Sequence, residues 1–307
     1  MNNKKVGLSL MSLQSFLGIE EAIKFAGKIG ADAVALDLCT NEWSCKNPNS
    51  IYSKSEDEFV EYFSKIRKVA DDAGVEFSYI HGRLSGFKNI PEEDELLLKN
   101  TKLDCLATKI LGAPHCVVHA VTTLYMGPDC DPQIMRDLNF DMFCKILDIA
   151  KEYDVKIATE TFGDASNYGV CDFFGNIEEF IKSFNRVRAV GNNKDYFDTC
   201  VDTGHSNKAM RFDNPTPADV IRMLGKRTRV LHLNDNDTLT DQHKIPMTGC
   251  IDWNDVFSAL DEVGYTGVYN MELDLTHFGE DFSIEEAAFG VKVLRHFLKN
   301  RYSDDFK

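Results

Sequence analysis

The chain has 307 residues, 43% of them hydrophobic and 27% charged, with a formal net charge of −15. That composition suits a soluble globular core, and the length fits one (β/α)₈ barrel without demanding a second domain. The negative balance disfavours nucleic-acid backbones as partners, and no apolar stretch approaches the length of a membrane span.

In chain order, strand-like and helix-like runs alternate. Lys5 to Leu10 reads as a first strand. The two lysines and short apolar run around it lack the long apolar segment and cleavage site of a signal peptide, so a cytoplasmic location is expected. Glu20 to Ile29 has helical apolar spacing and stops at Gly30. Ala33 to Leu38 is the second strand. Ser55 to Ala73 opens on a serine cap with Glu58 three residues on, and ends at Gly74. Glu76 to His81 is a strand, followed by a helix from Pro91 to Leu111 that ends at Gly112. His115 to Ala120 is the fourth strand and Pro132 to Tyr153 the next helix. The strands at 155–161, 196–203, 229–234 and 267–273 are followed by helices at 175–187, 216–225, 253–263 and 283–299. The last residues, 301–307, are expected to fray.

These make eight β/α pairs. A series of that kind means a parallel sheet with helical crossovers. An open doubly wound sheet would gather its ligands at one switch point. Here polar residues close many strands at once: His81, His119, Glu160, Asp202, His232 and Glu272. Only closure brings all those ends together, so we expect a (β/α)₈ TIM barrel forming one domain over 1–307. The nine cysteines form no CxxC pair, and several lie in apolar runs, which predicts reduced thiols.

Glu160, Asp202, His232 and Glu272 end four successive strands. Buried carboxylates are costly unless a cation or a base neutralises them, and no lysine or arginine closes these strands. A divalent cation is the simpler counter-charge. Three carboxylates and one imidazole suit Mn²⁺ or Mg²⁺, with Co²⁺ or Zn²⁺ as alternatives. Glu160 and Glu272 are then expected to flank the substrate as an acid/base pair. They would move a proton beside a carbonyl through a metal-stabilised ene-diolate. For each of these acids taken singly, a satisfied structural carboxylate is the bland alternative.

Around this set, His205 is three residues after Asp202 and reaches the same mouth, as a substrate contact or a loop histidine. His119 and His81 are either substrate contacts or core histidines. Arg211 would hold a substrate group or lie on the surface, with Lys208 beside it. Trp43, and Phe16 likewise, would stack on a sugar face or pack in a loop. Asp241 and His243 are candidates for additional metal ligands, and Asp235 for orienting a ligand. Met247-Thr248-Gly249 is a weak sign of close backbone approach.

The segments TET around Glu160, VDTGH around Asp202, HLND around His232, DQHKIPMTGCIDW, and NMEL around Glu272 together resemble the xylose isomerase-like barrel superfamily. Within it, the chain resembles the sugar phosphate isomerase/epimerase branch, which includes ketose 3-epimerases and inosose isomerases. The resemblance implies a metal-dependent isomerase or epimerase acting on a small sugar or polyol, while the negative charge and the lack of a long apolar stretch predict neither nucleic-acid nor membrane partners. A dimer or tetramer is common among its members. It implies metal-binding and proton-transfer roles for Glu160 and Glu272, metal binding for Asp202 and His232, and substrate contact for His205. An arginine that follows the metal histidine in many epimerases is missing from NDNDTL, which departs from the ketose 3-epimerase pattern. The superfamily also holds apurinic-site endonucleases with a trinuclear zinc site. Its nine ligand positions correspond to His81, His119, Glu160, Asp202, His205, His232, Asp241, His243 and Glu272. A keto-inositol dehydratase and a non-enzymatic sugar binder are further alternatives. The acidic or neutral mouth loops weigh against the endonuclease.

Overall fold

The computed structural model describes residues 4–302. Eight short strands form the centre: β1 Val6–Ser9, β2 Ala33–Asp37, β3 Glu76–His81, β4 His115–Val118, β5 Lys156–Glu160, β6 Phe197–Asp202, β7 Thr228–His232 and β8 Tyr269–Met271. All pair in parallel, in the spatial order β8-β1-β2-β3-β4-β5-β6-β7. The ring closes between β7 and β8 through a bridge from Leu233 to Met271. Leu233 N–H donates to the Asn270 carbonyl at 2.8 Å there, and Glu272 N–H to the Leu233 carbonyl at 3.3 Å. The result is the (β/α)₈ barrel. Every residue of β2 is buried, because helices cover the outer face while side chains fill the inside.

Side chains alternate across a strand, so every second residue points inward. Ala35, Tyr79, Val117, Ala158, Cys200 and Val230 pack together as a lumen layer. Two residues further along the same six strands stand Asp37, His81, His119, Glu160, Asp202 and His232. Period-two geometry therefore lifts one whole polar layer directly above an apolar floor, at the C-terminal end of the barrel.

Local signals set the helix limits. The helix Glu56–Ala73 has the full reciprocal capping box between Ser55 and Glu58, and it stops at Gly74 in the left-handed conformation. Pro91–Leu111 likewise stops at a left-handed Gly112. The expected fraying from residue 301 needs correction. The final helix runs Ser283–Tyr302. Its end is tied down by Tyr302 O–H donating to Asp261 Oδ1 at 2.7 Å, and by Arg301 Nη2 paired with Asp261 at 3.2 Å. Residues 303–307 lie outside the described ones.

Three short helices appear without a forecast in the sequence: Met11–Leu17, Thr123–Met126 and Thr203–Ala209. So does a two-residue antiparallel pair, Asp164–Ala165 with Val170–Cys171, in the loop after β5. All nine thiols are unpaired. Among the described residues no helix is long and apolar enough to cross a membrane.

Candidate metal centre

Glu160 ends β5, Asp202 ends β6, His232 ends β7, and Glu272 follows β8 by one residue. Each offers a ligand atom, and these atoms all lie within 4.8 Å of one another. His232 Nδ1 is central: Glu272 Oε2 is 3.0 Å away, Glu160 Oε2 3.2 Å and Asp202 Oδ2 3.9 Å. His232 is fully buried and stacks on Tyr79, with ring centroids 4.9 Å apart.

Neither ring nitrogen of His232 makes a hydrogen bond. The nearby carboxylate oxygens are close but not aligned with an N–H. A single N–H cannot serve three carboxylates, whereas a cation accepts several ligands without one preferred direction. The donor set, three carboxylates and one imidazole, suits a hard or borderline divalent ion. These residues therefore fit the metal that the sequence calls for.

The field of the site has the same sense. Burial alone would push Glu272 up, but His232 outweighs it and holds the carboxyl at about 2. Burial likewise opposes ionisation of Glu160, and the imidazoles of His232 and His119 hold it well below the usual range. Burial works against protonation of His205, yet Asp202 and Asp241 raise it well above an ordinary imidazole. The same opposition, won by Asp241 and Glu272, takes His243 to about 9. A field that binds protons this firmly on imidazoles also attracts a divalent cation.

The other expected residues divide into two groups. His119 Nε2 lies 3.0 Å from Glu160 Oε2 and His81 Nε2 3.5 Å from the same oxygen, so three imidazoles converge on it. His205 Nδ1 meets the other oxygen, Oε1, at 3.0 Å. Asp241 Oδ2 stands 3.3 Å from His205 Nε2 and 3.5 Å from His243 Nε2. The remaining residues do not join. Trp43 is 4% exposed, packed among Tyr52, Tyr62 and Phe63, so its faces are covered and cannot stack on a sugar. Arg211 pairs with Asp164 at 2.6 Å on the rim, and its charge is spent there. Asp235 accepts from the N–H groups of Asn236, Met247 and Ile251 and from the Trp253 indole. It shapes the loop after β7 and leaves nothing for a ligand. Phe16 is 37% exposed on the helix Met11–Leu17.

Three neighbours, Asn234, Phe162 and Cys200, escaped the sequence reading as parts of the site. Asn234 Nδ2 donates to Asp202 Oδ2 at 2.7 Å and orients that carboxylate. Phe162 stands edge-on to His119 and parallel to His205, lining the mouth between them. Lys208, expected beside Arg211, is 4% exposed and places its ammonium 2.7 Å from Asp164 and 3.6 Å from Asp241. Cys200 lies in the layer below. The available signal was the period of two: Asn234 follows His232 by two residues, and Cys200 precedes Asp202 by two.

A family profile described as xylose isomerase-like TIM barrel matches residues 23–296. An uncharacterised protein of Sinorhizobium fredii is 27% identical over 184 residues, which is 59% of this chain and 53% of that protein. The match thus spans about half the length of that relative. By shape, a D-tagatose 3-epimerase-like protein has a TM-score of 0.71 at 20% identity, over 96% of this chain and 97% of its own. The IolI protein with a bound zinc atom gives 0.71 at 19%, over 98% and 99%. A 3-keto-D-glucoside 4-epimerase from E. coli gives 0.70 at 15%, over 95% and 99%. At these identities the likeness is one of fold.

Proposed function

We propose that this chain, which belongs to the xylose isomerase-like TIM barrel family, is a metal-dependent isomerase or epimerase of a small sugar or polyol. Glu160, Asp202, His232 and Glu272 would hold one divalent cation, Mn²⁺ or Mg²⁺ before Co²⁺ or Zn²⁺. The observation that carries the reading is His232 Nδ1 between the carboxylates of Glu160 and Glu272, at 3.2 and 3.0 Å. The sugar epimerase names of two similar folds support the substrate class. Nine unpaired thiols support a reducing, cytoplasmic setting.

When bound, the cation supplies a Lewis acid for neighbouring carbonyl and hydroxyl oxygens of the substrate. The chain's own residues then do the proton work. One of the two glutamates, held ionised, takes the proton from the carbon beside the carbonyl; the C–H electron pair becomes a carbon–carbon double bond and the carbonyl π pair moves onto the oxygen. The other glutamate, ionised at rest, relays a proton from solvent to the opposite face while the first releases its own to solvent, and the carbonyl is re-formed. His119 and His81 fix the orientation of Glu160. Asn234 and the His205 N–H, at 2.7 and 2.6 Å, fix Asp202. His205 and Phe162 line the mouth where hydroxyls and carbons of the substrate would lie.

Glu160→Gln keeps the shape and removes the base. Exchange of substrate hydrogen with deuterated water should fall by about 10²-fold or more, with the unfolding midpoint retained. Exchange near the wild-type rate in that variant refutes the assignment. A wild type that binds sugar tightly and exchanges nothing is a sugar-binding barrel instead.

A second reading, a multinuclear metal phosphodiesterase, is favoured by one observation. His81 and His119 converge on Glu160, and His205 and His243 on Asp241; with Asp202, His232 and Glu272 that brings nine donors to one mouth. Against it, the Lys208 ammonium 3.6 Å from Asp241 already supplies positive charge there. One equivalent of tightly held metal per chain favours the isomerase. Three equivalents, with nicking of abasic duplex DNA, favour the phosphodiesterase.

A further inference from the structure

The floor beneath the candidate centre is apolar except at the Tyr79 hydroxyl, which accepts from Asn270 Nδ2 at 3.2 Å, and at the Cys200 thiol. Ala35, Val117, Ala158 and Val230 offer no ligand to a cation from below, and Cys200 adds a sulfur. Cys200 is fully buried on β6, paired across the sheet with Glu160 on one side and Val230 on the other. Its Sγ, a Glu160 carboxylate oxygen and a His232 ring nitrogen all lie within 4.8 Å of one another. A buried thiol by itself is only a small hydrophobe. Here it adjoins an imidazole that is wholly buried and whose two nitrogens lack hydrogen-bond partners. Tyr79 covers one face of that ring, which fixes its plane against the floor.

We propose that Cys200, Glu160 and His232 form a second, softer metal position just beneath the carboxylate-rich one, selective for thiophilic divalent cations such as Cd²⁺ and Zn²⁺. This rests on the reading of Glu160 and His232 as metal ligands. Sulfur, nitrogen and one oxygen make a soft donor set, whereas three carboxylates and an imidazole make a hard one. The two positions share Glu160 and His232, so one cation excludes the other. A hard ion stays high, with Asp202 and Glu272. A soft ion gains the sulfur, displaces its proton to solvent, and sits low against the apolar floor. Such an ion draws Glu160 away from the substrate, so thiophilic metals inhibit by displacement within one site.

Full-length protein titrated with Cd²⁺ alone, free of other metals, tests this. The first equivalent should raise an ultraviolet sulfur-to-cadmium charge-transfer band. Cys200→Ser and Cys200→Ala should both lose that band and weaken Cd²⁺ binding by about tenfold or more, as loss of a ligand does. In both variants Mn²⁺ affinity, read by electron paramagnetic resonance, should stay within about twofold, since no hard ligand is removed. A conservative pair of variants guards against misfolding, and retained thermal midpoints confirm it. A band that survives in both variants assigns the sulfur to another cysteine and overturns the proposal. So does a wild type without a band, or equal loss of Cd²⁺ and Mn²⁺ binding. The isomerase reading fails separately, if wild-type turnover does not depend on added Mn²⁺ or Mg²⁺.

Discussion

At the scale of single residues, Asp172 shows how burial and hydrogen bonding compete. Its carboxylate accepts the Thr123 N–H at 2.7 Å and the Phe174 N–H at 3.0 Å, pinning the loop after β4 to the loop after β5. Burial nevertheless pushes its pKa up to about 6, against the pull of those donors. A folded-state value above the unfolded one means that the folded chain keeps the proton longer. The stability from this group is therefore complete below about pH 4 and is lost as pH rises through about 6. The loss should amount to roughly 2–3 kcal/mol. Asp172→Asn removes the ionisation, so urea unfolding should give a stability gap between wild type and variant that narrows from pH 4 to pH 7. A gap independent of pH would mean that Asp172 ionises as an ordinary aspartate. The candidate ligands were readable at this scale because a polar residue closing an apolar strand is conspicuous. Cys200 was not, because a cysteine in an apolar run looks like any small hydrophobe.

Between elements, one buried ion pair does much of the joining. Arg83, just past β3, binds Asp104 through Nε at 2.9 Å and Nη2 at 3.1 Å, and its Nη1 donates to the Trp43 carbonyl at 3.0 Å. Tyr52 O–H donates to Asp104 Oδ1 at 2.6 Å. The end of β3, the loop after β2 and the helix Pro91–Leu111 are thereby fastened together beside the mouth. Removing one partner leaves the other as an uncompensated buried charge. Asp104→Ala should therefore lose about 3–5 kcal/mol in chemical denaturation, and Arg83→Met with Asp104→Leu should recover most of that. A double variant as unstable as the single one would show that packing, not charge, is at stake. No sequence rule pairs these two residues, because they lie on different elements and meet only in the fold. Caps behaved differently. Ser55 with Glu58, Gly74 and Gly112 mark helix limits through contacts within a few residues, so the sequence alone locates them. Thr203–Ala209 lacks apolar periodicity and forms where Asp202 accepts the His205 N–H at 2.6 Å. Its start is set by a residue that also faces the candidate centre, and the pattern of side chains did not announce it.

Across the whole molecule, the formal charge of −15 and the ring of buried acids act together. Excess negative charge repels polyanions but draws small cations toward the mouth, and ionic strength weakens that attraction. Inside, Glu160, Asp202 and Glu272 are at most 5% exposed and stand around one imidazole. Their mutual repulsion is a cost that the folded state bears and the unfolded chain does not. A cation bound between them binds the folded chain alone, so it stabilises by mass action, by about 2.7 kcal/mol at a hundredfold excess over its dissociation constant. For a barrel of this size that should raise the thermal midpoint by several degrees. Chelation should reverse the rise, and added salt should shift the half-saturating metal concentration upward. Asp202→Asn separates this effect from general screening. It removes a candidate ligand charge, the His205 N–H keeps the amide oxygen as acceptor, and the Asn234 amide, whose Oδ1 has no partner in the wild type, can turn to accept from the new NH₂, so the apo midpoint should hold or rise and the response to Mn²⁺ should shrink. Were the midpoint of the wild type indifferent to Mn²⁺, Mg²⁺, Co²⁺ and Zn²⁺ alike, these four side chains would have to be neutralised by protons. The acids would then be structural.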